Sequence, residues 1–313
     1  MKIKKWYPDK NIFERICVHM NYLFSGYRGS VTRDCYLYYG MDTLGRKERR
    51  EMLMDDELLK FERILNSDEE RIIFNSKKVF YDKFGKYMKR DVLLVGDSSY
   101  FEFEAFAHNR DIIIKPDNMY GGQGVMLIEN NASKKLYLKQ IYDTAHKAGS
   151  IAEERLYNHE AYRNIYDRSL NTIRVITLIN KTGNVEILGC INQFGSNGSI
   201  TDNDENDGIW AVANIENGIV TDCEKCDETA VIYDIHPDTG RSIIGFENVS
   251  WNKVLGMARE AAMVVPQCRL IGWDIAVLEN GDVELIEGNV TPELGVFEAI
   301  SHKGLRSRLE QAL

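Results

Sequence analysis

The stretch Leu270–Asn289, LIGWDIAVLENGDVELIEGN, constrains this chain more than any other. It reads as two strands joined by Asn280-Gly281, the strongest short-range hairpin signal, because both residues tolerate positive φ. With a two-residue loop, Glu279 pairs with Asp282, and counting back places Asp274 opposite Glu287. Asn289, two residues on, shares the face of Glu287. Opposed residues have Cβ atoms about 5 Å apart, and like charges there destabilise a sheet. A divalent cation between them removes the conflict. Two carboxylates and an amide oxygen form a hard donor set suited to Mg²⁺ shared with nucleotide phosphates. The competing reading is an acidic pair facing solvent.

At 313 residues the chain is long enough for two domains or one large mixed one. A net charge of −9 argues against nonspecific nucleic-acid binding, which needs a basic footprint. No apolar run reaches the length of a membrane span, and the opening MKIKKWYPDK lacks the apolar core of a signal peptide. Six cysteines do not suggest a disulfide framework, so a reducing cytoplasm is the expected location.

Three sections are expected: residues 1–75, 76–149 and 150–313. The first reads as helical, with stripes at Phe13, Ile16, Cys17, Met20 and Leu23 and at Leu58, Leu59, Phe61, Ile64 and Leu65. The charge-dense segment Gly40–Glu51 between them reads as a solvated helix face, and no site is expected in this section. In the second section, Val92–Asp97 reads as a strand and turn, and Ser99–His108 as a helix. Ile112–Ile114 form a short buried strand ending in Lys115, where Pro116 blocks continuation. A loop with Gly121, Gly122 and Gly124 follows, then a strand from Val125 to Ile128. Such glycines let backbone N–H groups approach a phosphate, and Lys115 reaches the same anion as a point charge. No helix follows the glycines, so this is neither a Walker A loop nor a dinucleotide fingerprint. A plain flexible turn is the alternative.

Beyond a helix at Lys135–Ala148, Ser150–Leu156 reads as a strand entering an irregular linker, a place where backbone groups and a carboxylate can read an adenine edge and a ribose; the alternative is that Glu153, Glu154 and Glu160 are surface charges. Asn171–Ile179 is a strand with Thr172, Arg174 and Ile176 on one face. An arginine in so apolar a strand is costly unless it is paired or faces a ligand. A strand at Val185–Cys190 leads into a polar loop, Asn192–Asp207, and Ile209–Ile215 forms the next strand. Cys223 and Cys226 form a lone CxxC without the second pair that zinc requires, and His236 reads as structural. No Ser/His/Asp or Cys/His arrangement is legible. Trp251–Val265 is an amphipathic helix, with Ser250 as its N-cap, packing beneath the hairpin.

Together these features resemble the ATP-grasp superfamily over about residues 76–300: a strand-end lysine with a glycine-rich loop, Glu-Glu-x-Leu, a strand arginine and a terminal Asp…Glu-x-Asn. The offsets of 13 and 15 residues from Asp274, followed by Thr291-Pro292, look like those of D-alanine–D-alanine ligase and its relatives. Within the superfamily, GWDIAV…LIEGNVTP and NTIRVITL most resemble the sugar-transfer-associated ATP-grasp proteins, encoded near polysaccharide genes. The resemblance implies an α+β fold in which two lobes with antiparallel sheets clasp ATP. It makes Lys83 and Lys115 phosphate contacts, Glu153, Glu154 and Leu156 the adenine hinge, Glu160 the ribose partner and Arg174 the stabiliser of the transferring phosphoryl. Asp274, Glu287 and Asn289 would hold Mg²⁺. Two features depart from the pattern. Residues 1–75 are too short and too helical for the α/β domain that usually precedes this fold. Asn192-Gln193 stands where many relatives place a basic residue, leaving Asn203 as the one matching loop residue.

The activity implied is carboxylate activation: a small-molecule carboxylate accepts a phosphoryl group from ATP, and an amine or another nucleophile then displaces phosphate, in polysaccharide or peptide-conjugate biosynthesis. The alternatives are a kinase acting on a hydroxyl or sugar, and a non-catalytic nucleotide-binding protein.

Overall fold

The computed structural model describes residues 6–27, 31–119, 121–131, 134–202, 207–225 and 233–313. Two antiparallel sheets organise these residues. The smaller comprises β1 (Val92–Leu94), β2 (Ile112–Lys115), β3 (Met126–Ile128) and β4 (Ile151–Glu154), in the order β1-β4-β2-β3. Its side chains alternate. Ile112, Ile114 and Ala152 pack with Phe103 and Ala107 of one helix (Tyr100–Ala107) and with Leu138, Tyr142 and Ala145 of another (Lys134–Lys147). Ile113, Lys115 and Glu153 therefore point away from that layer.

The larger sheet comprises β5 (Thr172–Ile179), β6 (Val185–Phe194), β7 (Ile209–Ala213), β8 (Val220–Lys225), β9 (Leu270–Val277) and β10 (Val283–Asn289), in the order β10-β9-β5-β6-β7-β8. Every residue of β5 and β9 is buried because helices cover both faces. On one face Val175, Trp273 and Ile275 pack with Val254, Leu255 and Ala258 of the helix Trp251–Ala262. On the other, Ile176, Leu178 and Leu270 meet Leu58, Phe61, Leu294 and Leu309. β6 runs to Phe194, so Asn192 and Gln193 are buried strand residues rather than the start of the polar loop. Pairing supplies the reason: Asn192 and Asn248 exchange amide hydrogen bonds, and Gln193 accepts one from Thr172.

The hairpin differs from its expected form in an informative way. Leu278 pairs with Asp282 around the three-residue loop Glu279–Gly281, in which Gly281 has φ of +74°. That loop moves the register by one residue, and an irregularity between Leu285 and Glu287 moves it back. Asp274 consequently does lie opposite Glu287. Ser250 is not an N-cap by side chain: it is left-handed, and its Oγ donates to the carbonyl of Gly281, tying the helix to the hairpin loop.

Residues 6–75 are mainly helical where described, with helices at Ile12–Phe24, Arg33–Tyr38, Arg46–Glu51, Asp55–Leu65 and Ile72–Asn75. The later ones are joined to the larger sheet. Asn66 donates to the carbonyls of Leu270 and Val290, and buried Glu298 accepts from the amides of Leu53 and Leu305. Among the described residues, no helix is long and apolar enough to cross a membrane.

Candidate functional site

The two sheets face one another across a cleft of about 320 Å³. The smaller sheet supplies Lys115 and Glu153 from neighbouring strands. Lys115 Nζ lies 2.8 Å from Glu153 Oε2, and Tyr81 also donates to Glu153. Burial pushes the Glu153 carboxyl up to about 8. Burial, reinforced by the Arg90 cation, draws the Lys115 ammonium down to about 7. An anion placed against Lys115 would restore its charged form.

The larger sheet supplies the opposite wall. Arg174 grips Asp274 through Nε and Nη2, both at 2.8 Å, and reaches Glu293 through Nη1 at 2.7 Å. This fork explains how an arginine sits in an apolar strand. Its partners more than offset burial and raise the Arg174 pKa, so it stays charged. Gly272 makes room for it: a Cβ there would come within 3.2 Å of Arg174 Cδ. Asn289 Nδ2 donates to Asp274 Oδ2 and Glu287 Oε1, each at 3.2 Å, so three side chains converge on one point. Asp274 and Glu287 titrate together. Burial raises Asp274 to about 6. At Glu287 burial is outweighed by Arg174, Lys115 and the Asn289 amide, which hold its pKa below the ordinary value.

Mg²⁺ would fit this set. The donors are hard oxygens, and turning the Asn289 amide over points its oxygen at the same spot as the two carboxylates. Among the described residues no group of three His, Cys, Asp or Glu forms a metal centre, so the amide and any phosphate oxygens would complete the shell.

Of the other expected residues, Gly121 and Gly122 line the cleft, as do Glu154 and Leu156. Gly121, Gly122 and Gly124 all have positive φ, and a Cβ on Gly124 would meet Pro116 at 2.9 Å. Glu153 and Glu154 close β4, and Arg155 and Leu156 follow them along the same wall of the cleft. Glu160 opens the helix Glu160–Ile165 and borders a separate depression with Arg163, Asn164, Asp167 and Glu279. Lys83 is exposed and away from the cleft; Lys77, on the same helix (Lys77–Phe84), lines it and donates to the carbonyls of Asp117 and Met119. Asn75 also lines the cleft, so the first section does contribute at its very end. Asn203 and Cys226 lie outside the described residues, while Cys223 is buried. His236 is buried, with Nε2 2.8 Å from the Gly195 carbonyl.

Two residues escape a reading of the sequence. Arg90 is buried between the sheets. It lies 3.3 Å from Glu153 on β4, bonds Glu284 at 2.6 Å on β10 and donates to the Leu285 carbonyl at 3.1 Å. Asp202 lines the cleft and accepts from the amide and hydroxyl of Thr172. Burial, reinforced by the charge of Asp274, pushes it up to about 7. The carboxylates that hold Arg90 and the threonine that holds Asp202 are at least 30 residues away, and no local pattern announces either.

Comparison with solved structures finds an L-amino acid ligase from Bacillus licheniformis (11% identity, 70% of this chain and 41% of that one, TM-score 0.41). It also finds a carboxyaminoimidazole ribonucleotide synthase from Aspergillus clavatus complexed with ATP (13%, 78% and 55%, 0.46) and the ATP-grasp ligase PsnB with minimal precursor, Mg and ADP (15%, 75% and 57%, 0.42). This chain spans about half the length of these proteins. No curated protein matches it. The profile of the family described as sugar-transfer associated ATP-grasp matches residues 60–312, nearly all of the fold just described. The chain belongs to the sugar-transfer associated ATP-grasp family and has the ATP-grasp fold.

Proposed function

We propose that the protein is an ATP-dependent ligase that activates a small-molecule carboxylate as an acyl-phosphate and joins it to an amine. The observation that carries this reading is the convergence of Lys115, Arg174, Asp274, Glu287 and Asn289 from two sheets onto one cleft beside a glycine-rich loop. Phosphoryl transfer requires little covalent help from a protein; it requires charge placed around an in-line path. The described cleft-lining residues include no Ser, Cys or His, which fits a reaction without a protein nucleophile.

The carboxylate oxygen attacks the γ-phosphorus and ADP leaves; the amine nitrogen then attacks the acyl carbon and phosphate leaves. Lys115 and Arg174 neutralise the transferring group. Mg²⁺, held by Asp274, Glu287 and Asn289, would neutralise phosphate charge. Glu154, Arg155 and Leu156 form the wall for the adenine. Asp202, with its pKa near neutrality, is placed to take the proton the amine must lose.

The test is phosphate release by the full chain with Mg-ATP against amino acids and sugar acids, with and without amines. Release of ADP and phosphate that needs both a carboxylate and an amine supports the ligase. A stable phosphoester formed on a hydroxyl, with no carboxylate requirement, would replace it with a kinase.

A further inference from the structure

The helix Ile12–Phe24 lies before the family match, which begins at residue 60. A capping box fixes its start, with Asn11 and Glu14 each bonding the other's backbone amide. One side is anchored: the Tyr22 ring packs against Tyr36 at 5.4 Å, and Asn21 bonds both the Tyr36 hydroxyl and the Asp42 carbonyl. The opposite side carries Ile12, Phe13, Ile16, Met20 and Phe24, which are 74, 71, 46, 41 and 80% exposed. At about 100° per residue, these five fall within an arc of about 120°. Singly exposed apolar residues need no explanation, but a continuous stripe of this kind marks a binding surface.

Charge identifies the occupant. Residues 1–50 hold eleven Lys and Arg against five Asp and Glu, whereas residues 51–313 hold 28 against 43. Part of that surplus flanks the helix on its anchored, polar side: in the segment Arg46–Glu51, RKERRE, the Arg49 guanidinium stands over the Tyr36 ring. Two copies meeting through this face would bring two cationic modules together, which repel. An anionic surface that also accepts apolar side chains satisfies both features, and a lipid bilayer with acidic headgroups is such a surface. We propose that this helix lies in the plane of an anionic membrane, with its Ile12–Phe24 stripe among the acyl chains and the basic residues around it at the headgroups. The acidic remainder of the chain would be turned toward water.

The experiment is co-sedimentation of the full chain with vesicles of phosphatidylcholine alone and of phosphatidylcholine mixed with phosphatidylglycerol. The expected result is binding to the mixed vesicles, weakened by added salt and reduced at least about tenfold in the double variant Phe13→Glu, Phe24→Glu. Both positions are exposed, so the variant should melt as the parent does. Should it not, the salt dependence of the parent and the triple variant Arg46→Glu, Lys47→Glu, Arg50→Glu carry the test. Equal binding to neutral vesicles, or no binding, overturns the proposal. A dimer in solution that dissociates in the double variant would assign the face to a second copy instead.

Discussion

The wall built on β5, β9 and β10 draws on two strands of eight wholly buried residues, whereas the wall built on β1–β4 has strands of three or four residues and one helix-covered face. The first holds its charges in a fixed fork, Arg174 on Asp274 and Glu293, with glycines cut to fit: a Cβ on Gly288 would meet the Trp273 ring at 2.9 Å. The second offers one lysine, one buried glutamate and a loop turned by three left-handed glycines. Deep burial makes the first wall the place to fix charges within a fraction of an ångström; short strands and glycines make the second the place to let backbone approach a ligand. Arg90 pins one wall to the other.

Breaking the charged wall should cost most. Asp274→Asn or Glu287→Gln should lower Mg-dependent ATP turnover by about 10³-fold while the protein still melts cooperatively; rates like the parent's would remove the hairpin from the site. Next is the pin. Arg90→Met leaves Glu284 and Glu153 buried with one fewer cation, and should lower unfolding free energy by about 3–5 kcal/mol in denaturant titration. Adding Glu284→Gln should recover part of that loss, and simple additivity would show that the two do not act as a pair. On the smaller wall, Lys115→Ala should weaken nucleotide binding by about tenfold to a hundredfold, measured by calorimetry, with Lys83→Ala as the unaffected comparison.

The smallest effect is one of pH. Glu298 is buried and accepts two backbone amides, yet burial raises it from 4.5 to about 8. The folded state therefore binds a proton that the unfolded state has lost, and stability from this group falls as pH rises from about 4.5 to about 8. Glu298→Gln should flatten the pH profile of the melting temperature across that window. An equally steep profile would place the titration elsewhere.

How far this arrangement can be read from sequence differs between the walls for physical reasons. The opposition of Asp274 and Glu287 is legible because period-two alternation is rigid, although the count succeeds only because the longer loop and the later irregularity offset one another. The strand-end lysine is legible because Pro116 marks where β2 must stop. The choice between Lys77 and Lys83 needs the helix start. With Ser76 as N-cap, the two lysines are six positions apart, and that spacing puts Lys83 about 120° around the helix from Lys77. Arg90 and Asp202 become visible only once strands far apart in sequence are side by side. The helical start is carried by local periodicity and the α+β class by the resemblance to a known superfamily, and both hold in the structure.

The central claim is that the two walls together bind Mg-ATP. Calorimetric titration of ATP into the full chain, with and without Mg²⁺, in the parent and in Glu287→Gln, tests it most directly. The account predicts binding that requires Mg²⁺ in the parent and is much weaker in the variant. No binding, or equal metal-independent binding by both proteins, would mean that Asp274 and Glu287 are an acidic pair and the cleft is not a nucleotide site.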